Sequence, residues 1–111
     1  MSDVVAPEYT GFEVKLEYSF LAFLYAFCPV YVEINGTKIR TKWGTQFFPA
    51  VPGRYNITCY THYMITPQAG KNSIEGDLFQ GQVVRVTWKA PSIVFMKGPM
   101  RWELIAGPHP I

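Results

Sequence analysis

The sequence is poor in charge, in cysteine and in histidine. Only 16% of its 111 residues are Asp, Glu, Lys or Arg, and it has two cysteines and two histidines. A formal net charge of +2 is small for a nucleic-acid protein, where a strongly basic face is the rule, so no nucleic-acid partner is expected. Cys28 and Cys59 form no C-x-x-C pair, and His62 and His109 stand far apart. The ligand spacing of a metal or thioredoxin-like site is therefore missing, and neither metal nor cofactor is expected. The glycine-rich phosphate loop, the dinucleotide fingerprint, the zinc-protease helix motif and the nucleophile elbow are all absent. The N-terminal stretch lacks a basic n-region, so no secretory signal is expected. The expected location is the cytoplasm, extending to the inner face of the membrane. In that setting the cysteines are free thiols. The glycosylation sequons at Asn35 and Asn56 then read as turn and strand chemistry.

Apolar and turn residues are abundant instead. Hydrophobic residues make up 49%, aromatic rings 16%, and there are nine Gly and nine Pro. The length fits one core. Large rings suit strands, and frequent Gly and Pro suit short strands with many turns. The expectation is an irregular tail over 1–10, a single domain over 11–105 and a second tail over 106–111.

Several strands can be read by alternation. In "FEVKLEY", Phe12, Val14, Leu16 and Tyr18 share one face, and Glu13, Lys15 and Glu17 the other. "PVYVEINGTKIRTKW" places Asn35-Gly36 between alternating runs, the signature of a two-residue type I′ hairpin. Such a loop pairs Ile34 with Thr37, Glu33 with Lys38, Val32 with Ile39, Tyr31 with Arg40 and Val30 with Thr41. Glu33 facing Lys38 should contribute about 0.2–1 kcal/mol. Pro52-Gly53 predicts a type II turn with Gly53 at positive φ, followed by a strand carrying Tyr55, Ile57 and Cys59 on one face. "TPQAGKNS" over 66–73 reads as a loop, and "IEGDLF" as a short strand. "VVRVTWK" turns Val84, Val86 and Trp88 inward, and Pro91 ends it. "SIVFM" and "MRWELI" add two more short strands. About seven strands in a small antiparallel, immunoglobulin-like β-sandwich are expected.

The order of these signals resembles that of small bacterial immunoglobulin-like sandwich modules such as PEGA-type domains. It is also similar to a group of short actinobacterial proteins sharing Ile34-Asn35-Gly36, Trp43-Gly44, Pro52-Gly53, Tyr55, Gly81-Gln82 and Ala90-Pro91. The resemblance covers roughly residues 29–91. It implies a non-catalytic module. Some members of the second group continue into a membrane span. This chain departs from them, since only "ELIAGPHPI" follows Trp102.

Chemistry-bearing residues are sparse. A general base at His62 would need a nucleophile and an orienting group, and the sequence suggests neither. A small hydrolase built on His62, or on Cys28 with His62, is the weakest functional class. Glu75 and Asp77 share a strand face but lack the further oxygen ligands that calcium requires. Lys38, Arg40 and Lys42 form a basic stripe that could meet phosphates or anionic lipid heads. Lysines on a strand also guard a sheet edge.

The uncharged stretch "SFLAFLYAFC" over 19–28 demands a separate account. As a helix its eight central residues reach about 12 Å, far short of the ~30 Å hydrocarbon core. As a strand it places Leu21, Phe23, Tyr25 and Phe27 on one face, with the other face also apolar. It can be a core element covered by "SIVFM", a surface for a protein partner or second copy, or a segment that dips into a bilayer surface. The leading expectation is a non-enzymatic binding or assembly module, self-associating or docking a protein through Leu21, Phe23, Tyr25 and Phe27. The alternative is a peripheral membrane module using the same surface.

Overall fold

The computed structural model describes residues 10–92 and 96–107, the side chains at 20–23 excepted. The described chain is all-β. Eight strands follow one another: β1 (Gly11–Tyr18), β2 (Val30–Ile34), β3 (Thr37–Thr41), β4 (Gly44–Pro49), β5 (Gly53–Tyr63), β6 (Thr66–Leu78), β7 (Val83–Ala90) and β8 (Met100–Ala106). They form two four-stranded sheets, ordered β4-β1-β7-β8 and β3-β2-β5-β6. The inner faces of the two sheets meet in a single core, giving a small β-sandwich.

Alternation decides what each strand buries. Phe12, Val14 and Leu16 of β1 face Val30, Val32, Ile57 and Cys59 of the other sheet, all at most 2% exposed. Val84, Val86 and Trp88 complete the first sheet's inner face. The Asn35-Gly36 hairpin has the register expected, pair for pair from Ile34–Thr37 to Val30–Thr41. Asn35 at φ 49° and Gly36 at φ 85° supply the left-handed residues that a type I′ turn requires. Asn35 also extends the ladder into β5: its Oδ1 accepts from Asn56 N at 2.7 Å, and its Nδ2 donates to Arg54 O at 3.2 Å.

Glu33 and Lys38 stand opposite in this register, yet each side chain takes another partner. Tyr60 donates its hydroxyl to Glu33 Oε2 at 2.7 Å, and Lys38 Nζ lies 4.6 Å from the Tyr31 ring centre. Tyr31 and Tyr60 stack at 5.4 Å. An aromatic pair with cations above it thus replaces the expected ion pair. Burial, with the adjacent Glu33 carboxylate, pushes the Tyr60 phenol up to about 12.

The structure departs from the sequence reading at four further points. β1 pairs with β7 in parallel, Gly11 beside Val83 through Tyr18 beside Ala90, so the sandwich is not wholly antiparallel. The strand β4 has no counterpart in the alternation, because the adjacent Phe47 and Phe48 break the period of two. "TPQAGKNS" is not a loop: it is the first part of the 13-residue β6, paired with the far half of β5. Its proline sits on an edge strand, where a missing N–H is tolerated. Register shifts between Cys59 and Thr61, and between Thr61 and Tyr63, mark bulges that the turn-like composition permits. Gly53 lies at φ 159°, close to extended backbone and away from the roughly +80° of a type II turn.

The uncharged stretch is neither a strand nor an α-helix. Phe20–Phe27 is a run of 3₁₀ helix. It has no β-branched residue and stops before Pro29, which disfavours helical backbone at Cys28. Its period of three sorts the side chains: Tyr25 turns inward, while Leu24 and Phe27 turn out. Most of the expected strand "SIVFM" and of the two tails lies outside the described residues. Thr10, placed in the first tail by composition, is 2% exposed.

Candidate docking surface

The end of the sandwich beside the 3₁₀ run is closed by aromatic rings. Tyr18 packs edge-on against Trp43 at 5.0 Å, and Trp43 stacks on Trp88 at 5.9 Å. Tyr25 lies 6.1 Å from Trp43 and 5.0 Å from Tyr63. Each buried polar tip has a partner, as burial requires. The Tyr25 hydroxyl donates to Pro91 O at 2.6 Å, Trp43 Nε1 to Cys28 O at 3.0 Å, and Trp88 Nε1 to Gly70 O at 3.0 Å. Tyr25 is 2% exposed. It therefore belongs to the core and leaves the set of four residues read from the strand pattern. A strand would have turned it to the same side as Phe27; a 3₁₀ helix does not. Burial raises the Tyr25 phenol, with Tyr63 and Cys28 adding to the effect.

Outward of this plug stand apolar side chains with no cover. Phe27 is 83% exposed and Leu24 54%. The turn between β5 and β6 adds Met64 at 76% and Ile65 at 96%. The two groups are brought to one end by the Tyr25–Tyr63 contact and by His62 N donating to Pro29 O at 3.1 Å. Met96, also exposed, comes from the connection that the Tyr25–Pro91 bond ties to the same end. The side chains of Leu21 and Phe23 lie outside those described. Met64 and Ile65 were missed in the sequence because a two-residue turn normally carries Gly, Asn or Asp. Met64 instead adopts φ 54°, a left-handed conformation uncommon for its type. An apolar pair at a turn tip was the signal available.

Basic residues surround this end. Arg40, Lys42, Lys89, Lys97 and Arg101 are exposed on the strand ends and connections beside it. Arg40 and Lys42 line a shallow groove of about 310 Å³ with Phe27, Cys28, Pro29 and Trp43. Lys38, the third member of the basic stripe, stands further from the tip, opposite Glu33, with its amine held over Tyr31. The ion pairs found among the described residues all lie in the half away from the tip: Arg85 with Glu13 at 2.7 Å, and Arg54 with Glu75 and Asp77 at 3.4 Å each. Glu75 and Asp77 thus serve a surface ion network on the edge strand β6. Asn56 and Arg54 hold the Glu75 carboxyl below its usual range.

The groups weighed for catalysis are differently disposed. His62 is exposed, and its Nε2 lies 3.0 Å from Met64 O. The Cys28 Sγ contacts Leu24 O at 3.7 Å, and burial raises its thiol, the reverse of an activated nucleophile. Cys59 is buried and pushed up to about 12. Both thiols are free. Among the described residues, no three His, Cys, Asp or Glu side chains gather where they could share a metal ion, and no helix is long and apolar enough to cross a membrane. No family model, no curated protein and no solved structure matches this chain.

Proposed function

We propose that this protein is a non-enzymatic binding module that docks through the apolar tip formed by the 3₁₀ run and the β5–β6 turn. The observation that carries the proposal is the convergence of Leu24, Phe27, Met64 and Ile65, from two separate segments, on one end of the sandwich. Exposed apolar groups scattered singly need no explanation, but a contiguous cluster marks an interaction site. The aromatic plug beneath holds both segments, so the tip is presented by a rigid frame. Covering Phe27, Met64 and Ile65 would contribute on the order of 5 kcal/mol. An immunoglobulin-like class for the sandwich, and the non-catalytic role it implies, belong to the same proposal.

The double substitution Phe27→Ser with Ile65→Ser tests it. Both side chains point to solvent, so the thermal midpoint is expected to stay within a few degrees of the parent. Retention on a hydrophobic-interaction matrix should fall sharply. Unchanged retention, or a variant that melts much earlier, would mean that these side chains are covered by the chain's own fold.

A further inference from the structure

We infer that the surface met by this tip is an anionic lipid bilayer, a conclusion that rests on the tip being the docking site. Charge selects this occupant. In the half of the sandwich nearer the tip, Lys15, Arg40, Lys42, Lys71, Lys89, Lys97 and Arg101 stand against the carboxylate of Glu17. Glu33 lies between the halves, where it accepts from Tyr60, and the far half holds Glu13, Glu75, Asp77 and Glu103 with Lys38, Arg54 and Arg85. Arg54 and Arg85 are spent there on Glu75, Asp77 and Glu13. Among the described residues, no ion pair involves Arg40, Lys42, Lys89, Lys97 or Arg101.

The molecule is elongated, 47 Å by 23 Å by 22 Å, so this segregation gives it a positive end and a more acidic end. A second copy meeting tip to tip would bring two such basic collars together and be opposed by their repulsion. A bilayer containing phosphatidylserine has the complementary arrangement, an apolar interior beneath a negative surface. Phe27 and Ile65 enter the acyl boundary while the lysines and arginines stay among the headgroups, the same division an interfacial helix makes between its two faces. Each basic group near such a surface strengthens binding about 5-fold.

Flotation of the full chain with vesicles tests this inference. Two compositions serve, phosphatidylcholine alone and phosphatidylcholine with part replaced by phosphatidylserine. Binding is expected only to the second, and raised salt should weaken it. Lys42→Gln with Lys97→Gln should reduce partitioning about 25-fold, and Phe27→Ser with Ile65→Ser should abolish it. Equal binding to both compositions would overturn the anionic requirement. Binding that survives the tip substitutions would overturn insertion by the tip. Failure to float with either vesicle overturns the lipid inference outright. The docking reading then stands if light scattering shows a dimer that the tip substitutions split, and falls with the inference if the tip substitutions also leave matrix retention unchanged.

Discussion

Replacing Trp88 by alanine is expected to destabilise the fold by about 3–5 kcal/mol. Trp88 is fully buried, stacks on Trp43 and donates its indole N–H to Gly70 O. Its loss opens a cavity where the first sheet meets the aromatic plug and leaves the Gly70 carbonyl without that donor. A domain of this size commonly has only 5–15 kcal/mol of total stability, so much of it goes with one ring. The midpoint of urea unfolding is the readout. Trp88→Phe separates the two contributions: it keeps most of the ring and loses the hydrogen bond, for about 1–3 kcal/mol. A loss below 1 kcal/mol for Trp88→Ala would show that the two sheets do not close on this residue.

Tyr25 carries the second large expectation. Tyr25→Ala should lower stability by about 3 kcal/mol, and Tyr25→Phe by about 1–2 kcal/mol, because the Pro91 carbonyl then loses its buried donor. Phe27→Ala, two residues along, should leave the unfolding midpoint nearly unchanged. That contrast separates the 3₁₀ arrangement from a strand, in which both residues would face the same way. If Tyr25→Ala left stability untouched while Phe27→Ala reduced it, the inward and outward assignments would be reversed.

Much of the frame was legible in the sequence because β patterning is local. The Asn35-Gly36 hairpin could be registered residue by residue, since its turn type and its alternation agree. Phe12, Val14 and Leu16, like Val84, Val86 and Trp88, declared their buried face by a period of two. Elements were missed where that period fails. Phe47 and Phe48 sit side by side in β4, so neither face stands out. The first half of β6 has the proline and glycine of a loop, and only its partner β5 makes it a strand. The parallel pairing of β1 with β7 joins segments some seventy residues apart, beyond the reach of local pattern.

The site was legible only in part. Phe27 was singled out and is exposed; Tyr25 was grouped with it and is buried. The error follows from conformation: at an interval of two residues, a strand repeats a face and a 3₁₀ helix does not. Met64 and Ile65 belong to the tip because Tyr63 packs on Tyr25, a tertiary contact with no signature in the chain. Arg40 and Lys42 were recognised as a basic stripe with Lys38. Their relation to the apolar segment is tertiary: β3 ends beside Phe27, with which Arg40 and Lys42 line one groove.

Hydrogen exchange of the native protein, alone and with phosphatidylserine-containing vesicles, tests the central claim most directly. Docking by the tip predicts that added protection is confined to 20–29 and 61–67, with Arg40 to Trp43 at its margin. Protection at the Asn35-Gly36 turn or around Glu75 and Asp77, with none at the tip, would contradict it.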